Sequence, residues 1–467
     1  MFDYTATYTD YYQLTMAQVY YYSGQKENRA VFDYFFRKLP FEGGYAVFAG
    51  LEDLLDTLQD FRFNERDLEF LKANGFRDEF IRYLAGFRFT GNIRASYEGD
   101  LIFPVRPVVQ VEANIIEAQI IETLLLNILN FQTLIATKAS RMRLAAGERK
   151  LVDFGLRRAQ GPGGYYAARA AFLGGFDATS NVRAGRDYGI QVSGTMAHSF
   201  IENYEDELTA FSIYAEEHPD NCVLLVDTYD TLRSGLPNAV RTAKILEEKG
   251  YRLNSIRLDS GDLAYLARKS RELLDKAGLN YVRIAASNQL DEHIIKSLLD
   301  QHAPIDIFGV GTSLVTGHPD GALDGVYKLA FSNGLPRIKL SENPGKTTLP
   351  HRKQVYRILE EDNSFAGAEV VTMIGEQAPE TMYHPFYPDR SFSLQNTGNE
   401  PLLHEMMVNG TRLSPTLSLH EIASFSREQL KRLPSEYKRF HNPHVYKIGL
   451  SSRLRSERDR LTEEFKK

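Results

Sequence analysis

Short apolar runs that each end in polar or glycine residues recur through the middle of the chain, and this pattern restricts the fold most. The runs lie at 151–155, 223–228, 255–261, 281–288 and 307–313. From Val223 onward they start about 25 to 33 residues apart, which is the length of one strand followed by one helix. Strands that are buried on both faces and alternate with helices form parallel sheets. The sequence therefore predicts an α/β fold.

The polar ends of these runs help to distinguish two kinds of parallel sheet. A doubly wound open sheet produces similar local signals but collects its binding residues at a switch point. A (β/α) barrel carries such residues after every strand. Polar or glycine residues follow every run here, as in Asp227-Thr228 and Asp259-Ser260-Gly261. This distribution favours the barrel, with its active site at the carboxyl ends of the strands.

The length of the chain leaves room for more than a barrel. Its 467 residues exceed one domain of about 150 residues, and the repeating pattern is lost beyond Arg337. We expect an α/β sandwich-like N-terminal domain over 1–130 with a long connecting helix, and an irregular (β/α) barrel over 131–336. A C-terminal extension over 337–467 is expected to pack on the N-terminal domain.

Composition and charge exclude several classes of protein. The formal net charge is −6, from 55 basic and 61 acidic side chains, which argues against general nucleic-acid binding. Cys222 is the only cysteine, so neither an intrachain disulfide nor a cysteine zinc site can form. The most apolar window, 115–136, contains Glu117 and Glu122, a polar load that a membrane span does not tolerate. With no signal-peptide pattern at the start, we expect a cytoplasmic protein without membrane partners.

One segment places small residues beside a histidine, Gly194-Thr195-Met196-Ala197-His198. Small residues let the backbone and the imidazole approach a ligand together. A neutral imidazole can act as a base, or as a nucleophile toward a phosphoryl group. The structural alternative is a core histidine whose ring nitrogens bond to neighbouring groups. The segment alone does not decide between them.

An arginine lies inside one of the predicted strands, which ends at an acid. A buried guanidinium such as that of Arg257 needs an anionic partner, because an unpaired buried charge is very costly. The partner is either Asp259 itself or a carboxylate or phosphate of a ligand, with Asp259 then close to a cation. The spacing is compatible with both interpretations.

Three other features also have both a binding and a structural interpretation. Asp227 and Asp230 could hold magnesium directly or through water, or cap the next helix. The turn at 309–313 offers backbone N–H groups and hydroxyls to a phosphate, although it lacks the lysine of a P-loop. Arg157 adds positive charge beside Phe154, or forms a surface ion pair of little consequence. Together these features indicate phosphate-bearing substrates with magnesium.

The chain also resembles the nicotinate phosphoribosyltransferase family, from Thr9 to the region of Pro350. The resemblance is carried by many ordered segments, which makes coincidence implausible. The segments are 9–16 (TDYYQLTM), 154–161 (FGLRRAQG), 174–181 (GGFDATSN), 194–200 (GTMAHSF), 257–262 (RLDSGD), 309–313 (GVGTS) and 325–329 (GVYKL).

This resemblance implies a type II phosphoribosyltransferase, an irregular barrel joined to an α/β domain. It implies a homodimer whose active sites are shared between the subunits. The implied reaction forms nicotinate mononucleotide and pyrophosphate from nicotinate and phosphoribosyl pyrophosphate, coupled to the hydrolysis of ATP. That reaction is a glycosyl transfer in the salvage route to NAD, classed as a ligase through its ATP coupling. Mg²⁺ is the implied cofactor.

The resemblance also implies roles for single residues. By its place in the family motif, His198 is the histidine that ATP phosphorylates. Tyr12, Thr195 and Arg257 correspond to positions that contact nicotinate, and Tyr12 is expected to come from the partner subunit. Phe154 corresponds to the other face of an aromatic clamp around the pyridine ring.

The remaining implied roles concern the phosphates and the metal. Thr312 corresponds to a contact with phosphoribosyl pyrophosphate, and Gly311 and Arg157 are expected to be further substrate contacts. Asp227 and Asp259 are expected to hold Mg²⁺ through water. Asp259 also completes the implied catalytic set with the histidine and the strand arginine.

Ser180 bears on the choice of substrate. Related nicotinamide enzymes carry an aspartate at the matching place, and a carboxylate there would repel the carboxylate of nicotinate. Serine therefore favours the acid. The alternatives are a nicotinamide or quinolinate phosphoribosyltransferase of the same fold, or a non-catalytic phosphate-binding barrel. The combination of His198, Arg257 and Asp259 argues against the last, because a binding module needs no phosphoryl acceptor.

Overall fold

The protein is seen here as a computed structural model. It describes residues 4–387, 389–394, 397–413 and 415–466. Contacts within the chain divide it into two compact units, one of Met1–Thr137 with Ala322–Lys467 and one of Lys138–Gly321. The predicted domain boundaries near 130 and 336 stay predictions.

The unit Lys138–Gly321 is built on a six-stranded parallel sheet. Five of its strands coincide with the five apolar runs of the sequence, the first of them beginning one residue earlier at Lys150, and the sixth is a strand of two residues. In chain order the strands are Lys150–Asp153, Ala178–Thr179, Val223–Leu225, Ser255–Leu258, Arg283–Ser287 and Ile307–Val310.

The order of these strands identifies the sheet as a barrel. Hydrogen-bonded neighbours are also successive in the chain, except that the last strand pairs with the first. In that pair Ile307 lies opposite Lys150, and Val310 opposite Asp153. A doubly wound open sheet reverses its strand order at an internal switch point instead. The predicted irregular (β/α) barrel is therefore confirmed, and its seam lies between the second and third strands.

Helices follow the strands of this unit, and four of them begin at polar caps that accept a backbone hydrogen bond. Asp262, for example, accepts a hydrogen bond from the backbone N–H of Tyr265 and so starts the helix Leu263–Lys276, which satisfies an N–H that has no partner inside the helix. The α-helices of the unit are Gly163–Leu173, Val182–Tyr188, His198–Glu202, Glu207–Glu217, Leu236–Glu248, Leu263–Lys276, Glu292–Asp300 and Thr312–Val315. A 25-residue helix, Glu122–Ala146, precedes them.

The other unit contains three sheets among the described residues. The largest is antiparallel, with the strand order Leu335–Pro336, Gly325–Ser332, Arg29–Phe36, Val109–Asn114, Asn92–Ala95, His404–Val408 and Thr411–Arg412. The second has the order Ser391–Ser393, Thr381–Tyr383, Lys447–Leu450, Phe365–Met373, Lys353–Leu359 and Gly398–Pro401. The third pairs Ala46–Val47 with Leu101–Ile102. Its α-helices are Tyr11–Tyr22, Leu51–Asp60, Glu65–Ala73, Asp78–Ala85, Ile115–Ile120, Leu419–Arg432 and Ser452–Lys466.

Strands from both ends of the chain meet in the largest sheet, because His404–Val408 pairs with Asn92–Ala95. Arg357 adds a buried electrostatic link between distant segments. Its guanidinium lies 2.7 Å from Asp100 Oδ1 and 3.0 Å from Glu369 Oε1.

In the described part of the chain, no helix combines the length and the apolar character needed to cross a bilayer.

Candidate active site

The predicted site residues of the barrel unit gather at the carboxyl ends of its strands. A cavity of about 370 Å³ opens there. Seven of the predicted residues line it: Phe154, Arg157, Ser180, Thr195, His198, Arg257 and Asp259. They come from several successive strand–helix connections, so the barrel brings together segments that are far apart in the sequence.

Arg257 is the centre of the hydrogen bonding in this cavity. Its Nε donates to Ser287 Oγ at 2.9 Å, and its Nη1 donates to Thr195 Oγ1 at 3.0 Å. Its Nη2 donates to Asp259 Oδ1 at 2.9 Å. The Arg–Asp pair considered from the sequence is thus present, and the arginine also lines the cavity. The same guanidinium can therefore face a ligand.

Asp259 is held as an anion by its surroundings. Burial alone would raise the pKa of this carboxyl, but the Ser287 hydrogen bond, the charge and hydrogen bond of Arg257, and the nearby His198 lower it below its usual value. Ser287 donates to the same oxygen, Oδ1, that accepts from Arg257. Ser287 was not among the residues singled out in the sequence, where a serine at a strand end has no distinguishing pattern.

His198 begins the helix His198–Glu202 and faces the cavity. Its Nδ1 lies 3.1 Å from Thr228 Oγ1, and its Nε2 lies 3.9 Å from Asp259 Oδ2. The side chain is 39% exposed, so the core-histidine alternative does not hold. Thr228, which the sequence did not single out, orients the imidazole so that Nε2 is the nitrogen nearer to Asp259.

The two acids after the strand Val223–Leu225 have different partners. Asp230 accepts from the backbone N–H groups of Leu232 and Arg233 and is therefore a cap. Asp227 Oδ2 accepts from the backbone N–H of Asp259 at 2.8 Å and also from a neighbouring serine hydroxyl. Its Oδ1 is buried and has no hydrogen-bond partner among the described residues.

These carboxylates fit a magnesium ion that is shared with a substrate. No cluster of three or more His, Cys, Asp or Glu suited to a metal occurs among the described residues. Mg²⁺, however, is commonly held by one or two carboxylates together with waters and substrate phosphates. The unpaired Oδ1 of Asp227 and the anionic Asp259 are oxygen donors of that kind. Asp227 itself is not one of the residues that line the cavity.

Phe154 provides an aromatic wall whose position depends on a glycine. The guanidinium carbon of Arg257 lies 5.3 Å from the centre of the ring, within the range of a cation–π contact. A Cβ atom on Gly309 would lie 2.3 Å from Phe154 Cε2, closer than atoms can pack. The glycine that suggested a phosphate turn in the sequence therefore makes room for the aromatic ring.

Asp153 ties two walls of the cavity together. Its Oδ1 accepts from the backbone N–H of Gly155 and its Oδ2 from Thr179 Oγ1, both at 2.8 Å. Its carbonyl accepts from the backbone N–H of Ser180. The carboxylate thus bonds to Gly155, the residue after Phe154, and the carbonyl bonds to Ser180. Asp153 therefore fixes both Phe154 and Ser180 relative to the first strand.

Gly311 and Thr312 follow the last strand of the barrel, at the same end as the cavity. Thr312 is exposed and begins the helix Thr312–Val315. A Cβ atom on Gly311 would lie 3.3 Å from the carbonyl oxygen of Phe154, which places this turn beside the aromatic wall. Neither Gly311 nor Thr312 is among the described residues that line the cavity.

Tyr12 belongs to the other unit. It lies in the first turn of the helix Tyr11–Tyr22 and is 49% exposed. Its hydroxyl accepts a hydrogen bond from Gln13 Nε2 at 3.3 Å. The expectation that a partner subunit supplies this tyrosine stays a prediction.

Comparisons with known proteins give the same family across the chain. Residues 7–130 match the nicotinate phosphoribosyltransferase (NAPRTase) N-terminal domain, residues 149–368 the NAPRTase family, and residues 352–458 the C-terminal domain. The nicotinate phosphoribosyltransferase of Bacillus subtilis (strain 168) is 44% identical over 99% of this chain and 98% of its own. The nicotinate phosphoribosyltransferase of Bos taurus is 36% identical over 97% of this chain and 96% of its own.

A solved structure agrees with these sequence matches. The crystal structure of human nicotinic acid phosphoribosyltransferase superposes with a TM-score of 0.86 at 32% sequence identity, covering 97% of this chain and 99% of that one. Fold, strand order and sequence thus lead to one assignment. The chain belongs to the nicotinate phosphoribosyltransferase family.

Proposed function

We propose that this protein is an ATP-dependent nicotinate phosphoribosyltransferase. It forms nicotinate mononucleotide and pyrophosphate from nicotinate and phosphoribosyl pyrophosphate, as a step of NAD salvage in the cytoplasm. The observation that supports this most is the meeting of Phe154, Thr195, His198, Arg257 and Asp259 around one cavity. An aromatic wall, a cation, a histidine and a carboxylate are the groups that the two half-reactions need.

Phe154 and Arg257 suit a flat anionic ring. The ring of nicotinate stacks on Phe154, and its carboxylate pairs with the guanidinium, since charge-assisted hydrogen bonds to arginine are among the stronger ones in proteins. Thr195 and Ser287 hold two of the guanidinium nitrogens in place. The arginine is therefore oriented before the substrate arrives, which reduces the entropy lost on binding.

The transfer itself needs alignment more than chemical activation. The pyridine nitrogen forms a bond to the anomeric carbon as the bond from that carbon to pyrophosphate breaks, through an oxocarbenium-like centre. Holding the two substrates in line lowers the barrier by removing the entropy of their encounter. Asp227 and Asp259 would hold Mg²⁺ through water, and the ion would supply positive charge for the departing pyrophosphate.

His198 is suited to the phosphoryl transfer from ATP. With the Nδ1 proton directed to Thr228 Oγ1, which lies 3.1 Å away, the lone pair on Nε2 is free to react. A bond forms between Nε2 and the γ-phosphorus while the bond from that phosphorus to the oxygen of ADP breaks. Water later releases phosphate from the histidine. A phosphorylated His198 would add acceptor oxygens beside the carboxylates that hold the metal.

Ser180 supports nicotinate over nicotinamide as the substrate. It lines the cavity as a neutral side chain, and Asp259, the acid among the lining residues, is already paired with Arg257. An anionic substrate therefore meets no uncompensated carboxylate there. The active form is a homodimer in which Tyr12 of the partner subunit covers the other face of the pyridine.

Two measurements test this proposal. Purified protein with Mg²⁺, ATP and phosphoribosyl pyrophosphate should convert nicotinate to the mononucleotide, and equimolar nicotinamide or quinolinate should compete poorly. Mass spectrometry after incubation with ATP should place phosphate on His198; His198→Ala should lose it, and the matched control His218→Ala should keep it. Preferential use of nicotinamide or quinolinate would overturn the substrate assignment, and an unphosphorylated His198 would overturn the ATP coupling.

A further inference from the structure

Glu207 is a buried acid with no direct part in the proposed reaction. It is the first residue of the helix Glu207–Glu217, and 3% of its surface is exposed. No cation among the described residues forms an ion pair with it. A buried carboxylate without a cationic partner is costly, and residues that carry such a cost are concentrated at functional sites. The burial of Glu207 therefore points to a role other than stability.

The hydrogen bonds of the Glu207 side chain go to the connection that follows the strand Val223–Leu225. Its Oε2 accepts from Ser234 Oγ at 2.6 Å and from Asn238 Nδ2 at 3.0 Å. Its Oε1 is buried and has no hydrogen-bond partner in the described part of the chain. The carboxylate thus joins the start of its own helix to this connection.

The connection packs tightly against the end of its strand. Ser234 lies in a single turn of π-helix, Thr231–Gly235, a type of turn that occurs frequently at functional sites. A Cβ atom on Gly235 would overlap with the carbonyl oxygen of Val226, so the turn touches the backbone at the strand end. A shift of Ser234 would therefore move Val226 and the polar residues that follow it.

Those polar residues belong to the active site. Thr228 Oγ1 lies 3.1 Å from His198 Nδ1. Asp227 Oδ2 accepts from the backbone N–H of Asp259 at 2.8 Å. Both contacts are short and directional, and hydrogen bonds weaken steeply when their geometry is disturbed. The place of the connection therefore determines how the imidazole is held.

A second path leads from His198 back to Glu207. His198 begins a short helix, and Phe200 lies in the same helix. The ring of Phe200 packs edge to face against that of Tyr214, with the ring centres 5.7 Å apart. Tyr214 belongs to the helix that Glu207 begins. These contacts form a closed loop that holds the imidazole both through its own helix and through the hydroxyl of Thr228.

We propose that Glu207 is a positioning residue for His198 and acts through Ser234 and Thr228. It keeps the threonine hydroxyl at Nδ1, so that Nδ1 carries the ring proton. The lone pair on Nε2 then stays available to the phosphoryl group. This role rests on the proposed function, since it affects turnover only if His198 accepts phosphate from ATP.

The first test measures the rate at which ATP phosphorylates His198, by mass spectrometry of quenched samples. We expect Glu207→Ala to slow this step about tenfold, the loss of a hydrogen bond to a charged group, with a smaller change in KM for nicotinate. Glu207→Gln, which offers a carbonyl oxygen in place of Oε2, should restore most of the rate. Glu217→Ala is the matched control, because it removes an exposed acid from the other end of the same helix.

A double-mutant cycle shows whether Glu207 acts through Thr228. Thr228→Val removes the hydroxyl and keeps the shape of the side chain. In that background Glu207→Ala should slow phosphorylation no further, because residues that share one path are not additive. A general loss of stability would instead slow the step equally in both backgrounds, and that result would overturn the proposal.

The last measurement needs no substrate. NMR of protein with isotope-labelled histidine reports which ring nitrogen carries the proton, and His198→Ala identifies the resonances. We expect the Nδ1-protonated form in the parent protein and a mixture of both forms in Glu207→Ala. The same single form in a folded Glu207→Ala would overturn the positioning role. If ATP does not phosphorylate the parent protein, the proposed ATP coupling has failed, and the NMR result alone decides the role of Glu207.

Discussion

The Nε2 atom of His198 lies 3.9 Å from Oδ2 of Asp259. The other carboxylate oxygen accepts from Arg257 and Ser287, so Oδ2 is the oxygen that faces the imidazole. Thr228 fixes the opposite side of the ring. The histidine and the carboxylate are thus held close enough for an electrostatic interaction and too far apart for a direct hydrogen bond.

Replacing Asp259 by asparagine keeps the shape of the side chain and removes its charge. We expect kcat/KM for mononucleotide formation to fall at least about 100-fold, the usual scale for losing a preorganised electrostatic group. The measurement is a steady-state assay with nicotinate as the varied substrate. Asp230→Asn, which alters a helix cap, is the control, and a similar loss in that variant would contradict a specific role for Asp259.

The same carboxyl predicts a pH dependence of stability. Its pKa in the folded protein lies below the usual value, and an unfolded aspartate has a pKa of about 3.9. Its stabilising contribution is therefore present above that unfolded value and is lost as the pH falls through the lower, folded pKa. Urea unfolding between pH 3 and pH 7 should show a smaller acid-induced loss of stability for Asp259→Asn than for the parent protein.

Ser287 is expected to act by positioning its two neighbours. Ser287→Ala removes the acceptor for Arg257 Nε and one donor to Asp259. The loss of a hydrogen bond to a charged group corresponds to about tenfold, so we expect KM for nicotinate to rise about tenfold with a smaller change in kcat. Ser297→Ala, in the helix Glu292–Asp300, is the control. An unchanged KM in Ser287→Ala would exclude the positioning role.

Gly309→Ala should displace the aromatic wall. The new Cβ would lie 2.3 Å from Phe154 Cε2, and overpacking of this kind destabilises by about 1–3 kcal/mol. We expect a lower melting temperature and weaker nicotinate binding, measured by thermal unfolding with and without nicotinate. In Gly86→Ala the nearest atom to the new Cβ is 3.6 Å away, so that control should behave like the parent protein.

Ser180→Asp should discriminate against the anionic substrate. The new carboxylate would line the same cavity as Arg257 and would repel the carboxylate of nicotinate. We expect KM for nicotinate to rise at least about tenfold, since like charges brought together in a site cost several kcal/mol. The neutral, similarly sized Ser180→Asn is the control. Equal effects of the two substitutions would show that size, and not charge, matters at this position.

Arg357→Met tests the buried ion pairs of the other unit. It leaves the carboxylate of Asp100 without its guanidinium and Glu369 with Arg106 alone, and breaking a buried pair in this way costs about 3–5 kcal/mol. We expect a large fall in the midpoint of urea unfolding. Arg460→Met removes a guanidinium whose ion pairs are exposed and should change the midpoint little. Similar midpoints for the two variants would contradict the prediction.

The barrel strands were predictable because they are buried on both faces. Such strands are continuous apolar runs, and the structure places a strand in each of the five that the sequence shows. The strand Ala178–Thr179 was not predictable, since two residues form no pattern. The ring closure between Lys150 and Ile307 depends on the register of strands far apart in the chain, which no local pattern records.

The site was predictable only in part. His198, Arg257 and Asp259 have unusual chemistry for their positions and attract attention in a sequence. Ser287 and Thr228 do not, because hydroxyls after strands are common and their roles come from tertiary contacts. The space that Gly309 leaves for Phe154 was not predictable either, since the ring that needs this space lies on a different strand connection.

The pairing of Ile307 with Lys150 also determines when the barrel can close during synthesis of the chain. A nascent chain on the ribosome carries Phe154 long before Gly309 is synthesised, so the aromatic wall lacks its contact with the last strand until that strand emerges. The barrel cannot close during most of its own translation, and contacts between such distant segments form slowly. A truncated product that ends before Ile307 would therefore lack the strand that joins Lys150–Asp153 to Arg283–Ser287, however much of the family's sequence it retained.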